Sequence, residues 1–253
     1  TILAHRNFTI AMSFLKTIFT GIFLLVFNLS YTSAQSTLNW CGQVLMDTKF
    51  QNEHPEELQN IINAEKQLEQ EYQAFKNQRS SRAVKVIPVV FHVIHQNGSE
   101  NINEAQILDQ MRILNEDYNK GNADLIDVVS SFVNVIGDVG IEFRLAQLDP
   151  SGNPTNGIDR VVSAATNQGG DNAKLNPWPR KSYLNIWVVK SWNSSIPNGV
   201  LAYAYRPASV QSNPSVDGII VLSKYVGSIG TSEPKYARTL THEIGHYLNL
   251  LHT

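Results

Sequence analysis

The chain has 253 residues, 42% of them hydrophobic and 17% charged, with a formal net charge of −2. That composition is enough for one sizeable core. The near balance of charge gives no reason to expect nucleic acid or an anionic membrane face as a partner.

The first elements in chain order read as targeting and processing segments. Met12 is the expected start, with residues 1–11 upstream of it, and Lys16 gives a positive n-region. Residues 17–29 (TIFTGIFLLVFNL) form an apolar run of h-region length, short for a membrane span, and Thr32-Ser33-Ala34 offers small residues for cleavage before Gln35. We read 12–34 as a signal peptide. Secretion to the outside, the periplasm or the cell surface follows, with no stable membrane insertion after cleavage; the alternative is an uncleaved anchor. Cys41 is the single cysteine, an odd count for a secreted chain of this size. Residues 35–82 are read as a propeptide, with an ordinary N-terminal helical segment as the alternative. Leu58, Ile61, Ile62 and Leu68 give a weak helical period, and Asn77-Gln78-Arg79-Ser80-Ser81-Arg82 reads as an exposed linker with a maturation site at Arg79 or Arg82.

From Ala83 onward strands and helices mix in one domain. VKVIPVVFHVIH (84–95) is rich in β-branched residues and predicts a strand that Asn97-Gly98 breaks. Asn103 caps a helix, with Gln106 placed to complete a capping box, and Ile107, Met111, Leu114 and Tyr118 share one helical face. Ile141, Phe143 and Leu145 alternate with charged residues, as in a half-buried strand, and Asp149-Pro150-Ser151-Gly152 is a turn. Residues 183–192 and 217–223 predict two more strands, and a last helix is expected from about Lys235 to Leu248.

The chemistry concentrates in HEIGHYLNLLH, residues 242–252. Positions i and i+4 of a helix share a face, so His242 and His246 can present two imidazoles to one cation. Glu243 lies about 100° round the helix, able to reach a water on the metal without ligating it. His252 is ten residues beyond His242, about 15 Å along a continuing helix. To act as third ligand it needs the chain to stop and turn back, which requires a residue tolerant of positive φ. Asn249 stands there; Gly is the usual choice and Asn the next most tolerant.

HEIGHYLNLLH resembles the metzincin pattern HExxHxxGxxH with Asn249 in place of Gly. More narrowly the chain resembles the pappalysin family of metallopeptidases, in its bacterial cytophagalysin-like branch. IPVVFHVIH (87–95), ILNEDYNKGNAD (113–124), GIEFRLAQLDPSGNPTNGI (140–158), YLNIWVV (183–189) and ARTLTHEIGHYLNLLHT (237–253) carry the likeness. The resemblance implies an α+β fold: a metzincin-like N-terminal catalytic subdomain over 83–253, with a twisted mixed sheet, a backing helix and an active-site helix. It implies a substrate cleft along an edge strand, taken to be 217–223, and a second subdomain with a Met-turn expected beyond Thr253. It also implies a zymogen. Cys41-Gly42 is similar to the cysteine switch of some pappalysin-like propeptides, in which a thiolate holds the zinc; the alternatives are a buried thiol or half of a disulfide.

The function expected from these residues is a secreted zinc endopeptidase acting on proteins or peptides. His242, His246 and His252 are the metal ligands and Glu243 the general base. The alternatives are a secreted zinc-dependent binding module without turnover and a zinc hydrolase of non-peptide amides. His92 and His95 are read as ordinary strand histidines, because residues three apart point to opposite faces. Trp178, Trp187 and Trp192 are read as packing. Asp149, Asp159, Asp171 and Asp217 leave Ca2+ as a further possible cation without a recognised ligand spacing. The oligomeric state is not legible.

Overall fold

The computed structural model describes residues 40–76 and 84–252, all within one folded unit. The expected signal peptide, the start of the propeptide and the linker at 77–82 lie outside the described residues. The N-terminal segment forms helices α1 (Gln43–Glu53) and α2 (Leu58–Phe75). Strand β1 (Lys85–His95), helix α3 (Glu104–Tyr118) and strands β2 (Ile141–Leu145), β3 (Ile158–Val162), β4 (Leu184–Val189), β5 (Ala202–Ala204) and β6 (Ile219–Leu222) follow, and helix α4 (Thr239–Tyr247) closes the series. No described helix is long and apolar enough to cross a membrane.

The sheet runs β2-β1-β4-β6-β5, with β3 pairing the second half of β1 beyond β2. All pairings are parallel except β5 with β6. Central parallel strands bury both faces, so they read as unbroken apolar runs; residues 89–95, 184–189 and 219–222 are buried throughout. Pro88 is tolerated inside β1 because β4 pairs with β1 only from Val89 onward.

Helix α3 backs the sheet as expected. Asn103 accepts a hydrogen bond from the Gln106 main-chain N–H at 2.8 Å, and Ile107, Met111 and Leu114 are buried with Tyr118 packed beside them. The capping box is not completed. The Gln106 side chain is buried and donates to the carbonyls of Ser223 and Val226, tying down the loop after β6.

Three further expectations are corrected. Residues 217–223 are not the sheet's edge: β6 lies between β4 and β5, and the antiparallel β5 is outermost. An edge strand is paired on one side, whereas β6 is hydrogen-bonded on both, to β4 and to β5. The last helix begins at Thr239, because Pro234–Tyr236 forms a separate tight turn in which the Ala237 N–H bonds the Pro234 carbonyl. Of the four apolar residues that suggested a face on α2, only Ile61 is buried, with Leu58 and Ile62 exposed.

Candidate metal centre

Helix α4 places His242 and His246 one turn apart, with their Nε2 atoms 3.1 Å from each other. The chain then reverses as the spacing of His252 requires. Asn249 takes φ +73°, its N–H bonds the His246 carbonyl, and the Leu250 N–H bonds the Gly245 carbonyl. These two bonds make the Schellman closure, in which a left-handed residue satisfies the last carbonyls of a helix. Leu250 packs over Gly245, its Cδ1 3.7 Å from where a Cβ there would stand. The turn returns His252 so that its Nε2 lies 3.2 Å from that of His242 and 3.1 Å from that of His246.

Three imidazole nitrogens so close suit a shared cation. A tetrahedral centre with zinc–nitrogen bonds of about 2.0–2.1 Å separates its nitrogens by about 3.3 Å. The Cys41 sulfur lies close by: its Sγ and the three histidine nitrogens are all within 4.8 Å of one another. The His246 Nδ1–H donates to the Leu250 carbonyl at 2.8 Å, which fixes the tautomer and turns the Nε2 lone pair inward. Burial, then the neighbouring His246 and His252, push the His242 imidazole down to about 4, and burial also lowers His246. These two rings are therefore neutral at physiological pH, as ligation requires.

Glu243 is 1% exposed and lies beside the Ala204 main chain of β5, next to Cys41. Its Oε2 accepts from the Cys41 thiol at 3.7 Å. Burial raises its carboxyl to about 8, with Cys41 and the Ala204 main-chain amide pulling it down. Burial and the Glu243 charge in turn hold the Cys41 thiol well above its ordinary value, a balance that a cation among the histidines would reverse. The metal-free chain has a corresponding pH signature. Folded Glu243 keeps a proton that the unfolded chain releases above about 4.5, so its presence lowers stability as pH rises from 4.5 to 8. Glu243→Gln is expected to stabilise the chelated protein by on the order of a few kcal/mol at pH 8 and hardly at pH 4, read by urea unfolding. Equal effects at both pH values would contradict the buried carboxyl.

Cys41 reaches the centre because residues 40–42 line the outer edge of β5. The Leu201 N–H bonds the Trp40 carbonyl at 2.8 Å, the Gly42 N–H bonds the Ala202 carbonyl at 3.0 Å, and Cys41 bridges Ala202 in parallel. A Cβ at Gly42 would stand 3.0 Å from Val200 and 3.1 Å from Tyr203, so glycine permits the close approach. From below, the Tyr118 hydroxyl donates to the Thr241 carbonyl, the Thr241 hydroxyl donates to Asp117, and Arg238 pairs with Asp117 and Asp124. Sequence reading missed this clamp on the start of α4. Its trace is the polar end of the α3 face, Asp117-Tyr118. Hollows of about 500 and 300 Å³ flank the centre, the first beside Tyr118, Val139 and Leu251, the second beside Trp40, Leu201 and Tyr236.

The other candidate residues stay apart from this centre. His92 faces Asp159 and Asn185, whereas His95 accepts from the Asn97 N–H, so the two strand histidines do not converge. Asp149 holds its own turn, Asp159 pairs with His92, Asp171 with Lys174, and Asp217 with Arg180. These four carboxylates are not brought together. Trp187 and Trp192 donate to the carbonyls of Leu175 and Val200, and Trp178 packs edge-on against His92.

The turn at Asn249 makes its own prediction. Asn249→Gly should leave metal affinity and thermal stability nearly unchanged, whereas Asn249→Val should cost about 1–3 kcal/mol and weaken metal binding. Unfolding with and without added zinc measures both; a valine variant as stable as the parent would contradict the left-handed turn.

Comparison with known proteins gives concordant matches. A peptidase M43 family model, described as pregnancy-associated plasma protein-A, matches residues 167–253. A promirolysin variant from Tannerella forsythia is 36% identical with a TM-score of 0.71, over 84% of this chain and 69% of that one. Mature mirolysin from the same organism, solved with a cleaved peptide, is 40% identical with a TM-score of 0.62, over 68% of this chain and 65% of that one. An extracellular metalloprotease of Pyricularia oryzae is 28% identical over 218 residues, 82% of this chain and 66% of that protein. Extracellular metalloprotease 1 of Coccidioides posadasii is 26% identical, and the chain spans 52% of its length. With the three-histidine turn, the mixed sheet and this likeness in agreement, the chain belongs to the pappalysin family of metzincins.

Proposed function

We propose that this chain is a secreted zinc endopeptidase made as a latent precursor. Residues 12–34 serve as signal peptide, 35–82 as propeptide and 83–253 as catalytic part. His242, His246 and His252 hold the zinc, Glu243 is the general base and Cys41 occupies the fourth position until the propeptide leaves. The observation that carries this reading is the meeting of three Nε2 atoms within 3.1–3.2 Å beside a buried, non-ligating carboxylate.

When bound, zinc would supply Lewis acidity, making a water acidic and polarising a peptide carbonyl. The chain's own residues do the rest. The His246–Leu250 hydrogen bond orients one ligand, and the Schellman turn holds another. Glu243 moves a proton: its Oε2, facing Cys41 in the precursor, faces the attacking water once the thiol departs, accepts the proton and passes it to the leaving amine. A cation held by the three histidines would lower the Glu243 carboxyl from about 8 and favour the ionised base. The freed edge of β5 offers main-chain donors and acceptors to an extended peptide, which favours peptides over other amides. A binding module without turnover has no use for a carboxylate buried at this cost.

The test is digestion of an unfolded protein by the matured enzyme with and without a chelator. Cleavage that stops with the chelator and returns with zinc is expected. Zinc retention without cleavage would favour the binding module.

A further inference from the structure

Arg206 lies two residues beyond the end of β5. Its Nε is 3.4 Å from Asp47 Oδ2 on α1, and its Nη1 is 2.5 Å from Glu65 Oε1 on α2. Both carboxylates belong to the N-terminal segment, and they are the ion-pair partners of Arg206 among the described residues. The arginine side chain is 14% exposed and that of Asp47 is 8% exposed, so the pair is largely shut off from water. The site is close to the metal centre: the charges of Asp47 and Arg206 both act on the His246 imidazole. The geometry is also continuous with the cleft. Residues 40–42 lie along β5 as an added strand, and the chain passes directly into α1, whose first turns bring Asp47 to the arginine.

We infer that Arg206 is a carboxylate-binding subsite of the peptide cleft, filled in the precursor by Asp47 and Glu65 and open to an acidic group of the substrate after maturation. This rests on the reading of residues 35–82 as a removable propeptide over a peptidase cleft. Withdrawal of the N-terminal segment takes away both carboxylates and leaves a guanidinium at the wall of the groove. Its planar fork matches a carboxylate with two parallel donors, and the arginine stays charged at every working pH. A peptide lying on β5 in place of residues 40–42 runs past it. The carboxylate can be an Asp or Glu side chain or the free end of a short peptide.

The experiment uses the full chain, cut within residues 77–83 and freed of its N-terminal segment, in a Glu243→Ala background so that peptides are bound and not consumed. The probes are labelled peptides of one sequence with Glu or Gln at each position in turn, each with a free or an amidated C-terminus. One position, or the free terminus, is expected to bind about tenfold more tightly in its acidic form, the effect of one charge-assisted hydrogen bond. That preference should fall to near unity in Arg206→Gln, persist in part in Arg206→Lys and weaken with salt. A preference at a Glu position identifies a side-chain subsite, and one confined to the free terminus identifies a terminal-carboxylate subsite. No acidic preference in the parent, or one that Arg206→Gln retains, overturns the proposal and leaves Arg206 as an anchor for the propeptide alone. Arg206→Lys keeps the test valid if Arg206→Gln does not fold. Turnover by the matured Glu243 enzyme is measured separately. Arg206-dependent binding without any cleavage would sink the peptidase reading and spare the subsite.

Discussion

Glu243→Ala is expected to reduce peptide cleavage by about 10²–10⁴-fold while metal content stays at the parent level. The residue lies between His242 and His246 in sequence with its side chain beside β5, 3.7 Å from the Cys41 sulfur, and the three converging nitrogens come from other residues. Removing it leaves the His242, His246 and His252 arrangement and the Asn249 turn intact. What is lost is the group that takes a proton from water and returns it to the amine. Metal content and turnover should be read from the same sample. Turnover at the parent rate would overturn the assignment of the base; loss of metal would mean that Glu243 supports the ligands and does more than move a proton.

Cys41→Ala is expected to give a precursor that cleaves substrate before any processing, at least about 100-fold faster than the parent precursor. Thiolate is a strong zinc ligand, and the Cys41 sulfur lies within 4.8 Å of all three histidine nitrogens. The alanine variant keeps the main-chain bonds of residues 40–42 to β5 and the Asp47–Arg206–Glu65 contacts, so the segment still competes for the cleft. Full activity therefore still requires cutting near Arg79 or Arg82. A variant as latent as the parent would move the cause of latency from the sulfur to the bulk of the segment.

The parts of this account that were legible in the sequence are the local ones. His242, Glu243, His246, Asn249 and His252 fall within eleven residues, where helical geometry and the need for one reversal leave little freedom. Strand β1 and helix α3 were legible because a β-branched run and a 3.6-residue period are strong signals. The edge of the sheet was not. Strand β5 has three residues, Ala202–Ala204, and its position outside β6 is decided by long-range pairing. β6 looked like a free strand because apolar composition does not reveal how many neighbours a strand has. Gln106 was misread for the same reason: its carbonyl partners, Ser223 and Val226, lie more than a hundred residues away. Cys41 was visible as a lone thiol, but its approach to the histidines depends on Gly42 lying against Val200 and Tyr203.

X-ray absorption at the zinc edge of the full precursor tests the central claim most directly. The account predicts one zinc per chain with three nitrogen neighbours at about 2.0–2.1 Å and one sulfur at about 2.3 Å. In Cys41→Ala the sulfur should be replaced by a light atom, with the nitrogen shell unchanged. A precursor that binds no zinc, or whose zinc has fewer than three nitrogen ligands, would contradict the three-histidine centre; a precursor with that shell and no sulfur would contradict the role given to Cys41.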